Sequence, residues 1–162
     1  MTSTTHRTEI LADEKVPSIR IVRDFDAAPE QVFRAHTDPE LYAQWVGPYS
    51  VTTRITRWDA RTGGEWAFAN DRDGEEIAAF HGCFHDVRPN ERIVSTFTYD
   101  GEPDGVALET LTLEELEGGR TRLHVLSVVK DFATRDGMLA SGMDTGVDEG
   151  YAKLDALLAK EA

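Results

Sequence analysis

The C-terminal segment of the chain carries an apolar stripe that determines what the rest of the fold must provide. Its members are spaced by 4, 4, 4, 3 and 4 residues, and they are Leu139, Met143, Val147, Tyr151, Leu154 and Leu158. This spacing predicts one amphipathic helix over about 135–160, which would be ~39 Å long at 1.5 Å per residue. Such a helix must bury its apolar side against a large partner.

The partner that the sequence offers is a series of strands joined by short turns. Alternating apolar residues begin at Ser18, and the pattern resumes at Val51 and continues to Lys130. Glycine pairs such as Gly63-Gly64 divide this stretch into short segments. Strands joined so tightly pair antiparallel, because a parallel crossover needs a dozen or more residues. We therefore predict an α+β fold in which a curved antiparallel sheet of about six to seven strands wraps around the long C-terminal helix.

Two short helices are expected directly after the first strand. Pro29 and Pro39 each suit the first helical turn, and Asp38 is placed to cap the second helix. Residues 1–16 are polar and lack clear periodicity, which predicts a loosely ordered arm and leaves open that part of it is extended. The single domain is therefore expected over 17–162, since 162 residues fit one domain.

Composition narrows the possible partners and compartment. The chain has 17 Lys+Arg against 30 Asp+Glu, which gives an acidic protein with a net charge of -13. Nucleic acid is not an expected partner, because neutralising phosphates requires clustered basic residues. A membrane is not expected either, since no apolar run reaches the ~18 residues of a spanning helix. The single cysteine, Cys83, and the absence of an apolar signal sequence predict a cytoplasmic protein.

Several motifs resemble one known family. The string from Ala28 to Leu41 resembles the opening of the START-like, helix-grip (SRPBCC) superfamily, and more closely its branch named after activators of the 90-kDa heat-shock protein ATPase. Further elements follow in the order of that branch, and they are Trp45–Pro48, Asp59–Trp66, Phe80–Phe84, Glu91–Val94 and Gly142–Gly146. Val46 stands where the branch often has a second tryptophan. The resemblance covers residues 18–158.

The resemblance implies a cavity between the sheet and the C-terminal helix, in which many superfamily members bind apolar small molecules. We therefore predict that the chain binds a small apolar ligand of unknown identity. Two alternatives remain open: a polyketide cyclase- or dehydratase-like enzyme, and a co-chaperone that stimulates the ATPase of the 90-kDa heat-shock protein. A homodimer through an exposed strand edge is also open.

Aromatic residues that share faces of neighbouring strands are candidates to line this cavity, together with residues of the helix stripe. The predicted ligand-binding residues are Trp45, Trp66, Phe68, Phe80, Phe84, Phe97, Tyr99, Met143, Val147 and Tyr151. An ordinary aromatic core would use the same residue types. Gly82 lies between two aromatic residues, which leaves space for a kink or a ligand. Gly142, Gly146 and Gly150 either leave room for a ligand or allow close backbone packing of the helix on the sheet.

No catalytic constellation is evident, so the sequence leaves open whether the protein is an enzyme. His36, Glu109 and Tyr151 are the residues that could act as acid or base in the cavity. His81, Cys83 and His85 alternate along one strand. Together these three span ~13 Å, which is too wide for one tetrahedral metal site. We expect no metal and no cofactor.

Overall fold

The computed structural model describes residues 6–161, and the N-terminal five residues of the predicted arm lie outside that range. Eight strands and four helices are formed within it. In chain order they are β1 (Glu9–Ala12), β2 (Ser18–Phe25), α1 (Pro29–Thr37), α2 (Pro39–Trp45), β3 (Thr52–Trp58), β4 (Glu65–Arg72), β5 (Glu75–Arg88), β6 (Arg92–Tyr99), β7 (Ala107–Leu116), β8 (Arg120–Val128), α3 (Phe132–Ala140) and α4 (Met143–Glu161).

The strands form one antiparallel sheet in the order β1-β2-β8-β7-β6-β5-β4-β3. Register shifts interrupt the pairing of β3 with β4, of β4 with β5 and of β5 with β6. Bulges of this kind bend strands and increase their twist, which helps the sheet to curve. The arrangement confirms the predicted α+β helix-grip fold, with two short helices after the first strand of the predicted domain.

The sheet has one strand more than the six or seven expected. The additional strand is β1, which lies within the segment that the sequence predicted as a loosely ordered arm. It pairs antiparallel with β2, and Ile10 lies opposite Ile21 and packs against the core. The four residues of β1 are too few to show clear alternation, and their pairing depends on β2.

Local capping accounts for the two short helices. The backbone N–H of Ala28 donates to the side chain of Gln31 at 3.1 Å, and Pro29 follows as the first residue of α1. The Asp38 carboxylate accepts from the N–H of Glu40 at 3.0 Å and caps α2, as predicted. Both helices therefore begin where the sequence indicated.

The prediction of one continuous C-terminal helix is wrong. Asp131 accepts from the N–H of Thr134 at 2.8 Å and starts α3 earlier than expected. The helix then stops at Ala140, because Gly142 has a φ of 85°, which is in the left-handed region. A second helix, α4, starts at Met143. None of the helices in residues 6–161 is both long and apolar enough to cross a membrane.

The interior of the domain consists of two clusters. The first, which we call the main core, includes fully buried side chains of β2, α1, β8 and the second half of α4, namely Ile19, Phe25, Val32, Leu123 and Leu154. The second, which we call the aromatic cluster, centres on Trp66, Phe68, Phe84 and Ile93. Apolar residues such as Leu111 pack against both clusters and connect them.

The glycines of α4 pack against the end of α2. A Cβ atom on Gly150 would lie 3.2 Å from the carbonyl oxygen of Trp45, and one on Gly146 would lie 3.6 Å from Cδ of Pro48. Close backbone packing therefore explains Gly150, but the partner is the α2–β3 connection and not the sheet. Gly142 ends a helix and is not part of a helical row.

Candidate functional site

The sheet register determines which side chains face the helices. Phe84 pairs with Ser95, Ser95 with Glu109, and Glu109 with Ser127, so these four residues lie side by side across β5–β8. Since side chains two residues apart on a strand share a face, Phe97 and Leu111 point to the same concave side. The predicted aromatic residues of β4–β6 and Glu109 therefore share the concave face of the sheet.

The predicted ligand-binding residues divide between the two clusters. The aromatic cluster contains Trp66, Phe68 and Phe84, with Phe80 and Phe97 packed against it. Trp45 and Tyr151 belong instead to the main core, where their rings stack at a centroid distance of 5.9 Å. Met143 and Val147 pack at the border of that core. Tyr99 lies at the end of β6, 40% exposed, with its ring 5.5 Å from that of Phe80.

Tyr42 on α2 connects the two clusters and was missing from the predicted set. Its ring lies 5.2 Å from Trp45, 5.0 Å from Trp58 and 5.8 Å from Phe68. Trp58 is also new to the set, and its indole N–H donates to the carbonyl of Thr37 at 2.7 Å. Tyr42 could have been predicted from its helical spacing to Trp45, because this spacing places both rings on one side of α2.

The space beside Gly82 is occupied. A Cβ atom there would come within 2.7 Å of the Trp66 indole, so the ring lies directly on the glycine. The carbonyl oxygen of Thr96 on β6 also lies where a Cβ atom would be, so this space is not left for a ligand. Gly82 instead provides the flat surface against which Trp66 packs.

Several inward-facing apolar residues of β5, β6, β7 and the first half of α4 are less buried than those of the main core. We call this region the open half and define it by its half-buried apolar members, which are Phe80, Phe97, Leu111, Met143 and Val147. By contrast, Phe25, Leu123 and Leu154 in the main core are 0% exposed. These inward-facing side chains therefore keep part of their apolar surface in contact with solvent.

Among residues 6–161, Glu109 is the one acidic side chain that the register places in the centre of the concave face. Burial raises the pKa of its carboxyl to about 7, although the residue keeps partial solvent access. The Ser127 hydroxyl acts against this rise, but Ser127 Oγ forms no regular hydrogen bond with any described residue. No described residue forms an ion pair with Glu109. This carboxyl is largely buried, keeps some solvent access and has no cationic partner in the part of the chain that the structure describes.

Two phenols lie near Glu109. The pKa of Tyr42 is raised above its ordinary value, first by burial and then by the negative charge of Glu109. The pKa of Tyr151 is raised by the same two causes and lowered in part by Arg23. Both phenols therefore stay protonated at neutral pH and can donate hydrogen bonds. Tyr151 and Glu109, two of the three predicted acid–base candidates, therefore influence each other electrostatically.

His36, the third candidate, is held in place by other contacts. Its Nδ1 donates to the carbonyl of Val32 at 2.7 Å, and its ring lies 4.8 Å from that of Trp45. Burial lowers its pKa to about 4, so the imidazole is neutral at pH 7. His36 is a helix-face residue packed in the core.

Arg23 is the buried cation of the concave face. Its guanidinium forms two hydrogen bonds with the Asp155 carboxylate, at 2.9 and 2.6 Å, and one with the carbonyl of Asp24 at 2.7 Å. The ring of Phe25 lies 4.9 Å away. This bidentate pair ties α4 to β2, so the charge of Arg23 is already balanced by Asp155.

A separate cavity of about 670 Å³ lies between β1 and the first turn of α4. It is lined by Arg7, Thr8, Glu9, Ile10, Leu11, Asp144, Thr145 and Asp148. None of these belongs to the predicted ligand-binding residues. The cavity is open to solvent and its lining is largely polar, so it differs from the apolar site that the sequence predicted.

His81, Cys83 and His85 lie on the outer face of β5. His81 Nδ1 contacts the Asp100 carboxylate at 2.6 Å, and Cys83 is an exposed free thiol. Within residues 6–161, no three histidine, cysteine or acidic side chains come together to hold a metal ion.

Comparisons with known proteins agree with this architecture. The family model described as activator of Hsp90 ATPase homolog 1-like protein matches residues 26–159. No curated protein matches the chain. The matched range begins just before α1 and ends within α4, so it includes both clusters and Glu109.

Solved structures of bacterial proteins are similar over nearly the whole chain. A crystal structure from Rhodobacter sphaeroides is 27% identical with a TM-score of 0.84, and covers 95% of this chain and 99% of that one. A solution structure from Arthrobacter aurescens is 25% identical with a TM-score of 0.84, covering 94% and 91%. A crystal structure from Chromobacterium violaceum is 29% identical with a TM-score of 0.76, covering 88% and 96%.

Proposed function

The chain belongs to the family of activator of Hsp90 ATPase homolog 1-like proteins, and we propose that it binds a small apolar molecule in the open half. The observation that carries this proposal is the incomplete burial of inward-facing apolar side chains such as Phe80, Phe97 and Val147. Apolar surface left in contact with water costs about 25 cal/mol per Å². A ligand that covers this surface would recover that free energy.

The open half has the mixture of groups that ligand sites use. Most of its lining is apolar or aromatic, and a few polar groups converge on it, among them Glu109, Ser95 and the phenol of Tyr151. Sites for small molecules are usually concave and apolar, with a small number of polar groups that orient the ligand. The family membership supports the same function, because the fold places the helices over the concave face.

Native mass spectrometry of the purified protein, with a denatured control, is the first test. An additional mass that disappears on denaturation would support a bound ligand. The second test measures binding of a neutral apolar probe, 4-phenylbutan-1-ol, by titration calorimetry. Ser95→Trp places an indole in the open half, and Thr112→Trp places the same ring on the outer face of β7 as a matched control.

We expect Ser95→Trp to weaken probe binding at least tenfold and Thr112→Trp to leave it unchanged. Circular dichroism checks that both variants are folded. Equal affinity in the two variants would contradict the proposed position of the ligand. No binding of the probe to the wild-type protein, combined with a single unliganded mass, would contradict the function itself.

A second candidate function is cyclase- or dehydratase-like catalysis, and the environment of Glu109 favours it. A carboxyl with a pKa of about 7 can take up and release a proton near neutral pH, which suits general acid–base chemistry. The neighbouring Tyr151 phenol would donate a hydrogen bond to a substrate carbonyl. Deuterium exchange at C2 of 1-phenylbutane-1,3-dione, followed by NMR, tests this. The wild-type protein should accelerate the exchange and Glu109→Gln should not.

The co-chaperone alternative has the family description as its support. Stimulation of the ATPase of the host's 90-kDa heat-shock protein would establish it, and an unchanged ATPase rate would remove it. The cytoplasmic location and the homodimer stay predictions.

A further inference from the structure

The position of Glu109 indicates what kind of ligand the open half accepts, and this inference rests on the proposed function. Glu109 lies on the concave face between Ser95 of β6 and Ser127 of β8. It keeps partial solvent access, although most of its surface is removed from water. A carboxylate in such a place is costly unless a partner compensates its charge.

The described residues around Glu109 provide no such partner. Arg23, the buried cation of β2, is already paired with Asp155 of α4 through two hydrogen bonds. His36 of α1 donates its ring N–H to Val32 and is uncharged. The phenols of Tyr42 on α2 and Tyr151 on α4, whose pKa values are raised in part by the charge of Glu109, carry no charge themselves.

We infer that the ligand of the open half is an apolar amine, whose protonated nitrogen pairs with the Glu109 carboxylate. The ammonium group would supply the positive charge that no described side chain supplies. Its N–H donors would have the Glu109 oxygens and the Ser95 and Ser127 hydroxyls as acceptors. The hydrocarbon part would lie against the aromatic cluster.

The aromatic rings support a cation at this position. A cation over the face of a tyrosine, phenylalanine or tryptophan ring, within about 6 Å, is attracted by the negative face of the ring. Tyr42 and Tyr151 lie close enough to Glu109 for its charge to raise the pKa of each phenol. An ammonium paired with Glu109 would therefore offset the negative charge that raises the pKa of both phenols.

The experiment compares three probes with one hydrocarbon skeleton by titration calorimetry at pH 8. They are 4-phenylbutylamine, 4-phenylbutan-1-ol and 4-phenylbutanoate, which differ only in the terminal group. Each is titrated into the wild-type protein, Glu109→Gln and Glu114→Gln. Glu114 lies on the outer face of the same strand and contacts His124 at 2.9 Å, so its variant removes the same charge without changing the site.

We expect the wild-type protein to bind the amine at least tenfold more tightly than the alcohol and to bind the carboxylate least. Glu109→Gln should abolish the preference for the amine but still bind the alcohol, and Glu114→Gln should behave like the wild type. If the net charge of -13 alone attracted the amine, its affinity would fall equally in Glu109→Gln and Glu114→Gln. That result would overturn the inference. So would alcohol binding as tight as amine binding in the wild type. Failure of all three probes to bind would count against the proposed function as well.

Discussion

The main core and the open half lie on the same concave face but are packed to different degrees. In the main core, Phe25, Leu123 and Leu154 are completely shielded from solvent. In the open half, Phe80 and Phe97 stay half-buried, although the sheet register directs them inward. The same sheet therefore supports a closed region, which stabilises the fold, beside a region with accessible apolar surface.

Helix α4 belongs to both regions and shows why they differ. Its second half is held to the core by buried Leu154 and Leu158 and by the pairing of Asp155 with Arg23. Its first half follows the break at Gly142, and Met143 and Val147 there are half-buried. The break at Gly142 separates α3 from the buried second half of α4. The apolar stripe is thus buried at its C-terminal end and partly exposed to solvent at the start of α4.

The largest expected effect compares one substitution in the two regions. Leu154→Ala should lower the free energy of unfolding by about 4 kcal/mol, because a fully buried leucine leaves a cavity that the core cannot fill. Leu111→Ala on β7, in the open half, should cost only about 2 kcal/mol, since this side chain is half-buried. Urea denaturation of both variants measures the difference. Equal losses would show that the two regions are packed alike.

Protonation of His36 gives the next largest effect. Below pH 6.5 the unfolded chain takes up a proton at this residue, whereas the folded protein does not until pH 4. Stability should therefore fall as the pH falls from 6.5 to 4, by about 3 kcal/mol from this group. His36→Phe should remove that loss and keep the ring contact with Trp45. Urea denaturation between pH 7 and 4 tests it, and parallel profiles for the variant and the wild type would contradict it.

Glu109 makes the free energy of unfolding depend on pH in the direction opposite to that of His36. Its folded-state pKa is raised from 4.5 to about 7, so the unfolded chain loses this proton first as the pH rises. Stability should therefore fall between pH 4.5 and 7. Glu109→Gln should stabilise the protein at pH 8 by about 2 kcal/mol, reduced from the full linkage value because the carboxyl is partly solvated, and by almost nothing at pH 4.5.

Glu114→Gln is the matched control for this pH dependence, since it removes the same charge from the solvent-exposed side of β7. Chemical denaturation at the two pH values gives the comparison. A gain at pH 8 that is equal in both variants would mean that the effect arises from net charge and not from the burial of Glu109.

The smallest expected effect compares two glycines of α4. Gly146→Ala should stabilise the helix by roughly 0.5–1 kcal/mol, because alanine favours a helix and its Cβ would make only an ordinary contact with Pro48. Gly150→Ala should show no such gain, since its Cβ would press against the carbonyl oxygen of Trp45 at 3.2 Å. Thermal denaturation distinguishes them, and a gain in both variants would contradict close packing at Gly150.

Local signals accounted for much of the fold. Pro29, Pro39 and Asp38 act within one helical turn of their own positions, so the starts of α1 and α2 could be predicted from the sequence. Glycine turns and alternating apolar residues likewise indicated the strands from β2 to β8. β1 could not be predicted, because it becomes a strand through pairing with β2. The break at Gly142 was missed because the apolar spacing continues through it.

For the candidate site too, the sequence predicted some features and only the tertiary structure revealed the others. Residue types and alternation identified the aromatic residues of the concave face and named Glu109 among three acid–base candidates. Only the tertiary structure separated Trp45 and Tyr151 from the aromatic cluster and placed Tyr42 between the two clusters.

Hydrophobic patterning by itself determined that this chain forms an antiparallel sheet with helices packed on one face, because periodicity is a property of neighbouring residues. The degree of burial, the partner of each charge and the pKa of Glu109 depend on strands and helices that are distant in the sequence. Those properties distinguish a filled core from an accessible region. They were therefore decided only when β6, β7 and β8 came into register beneath α2 and α4.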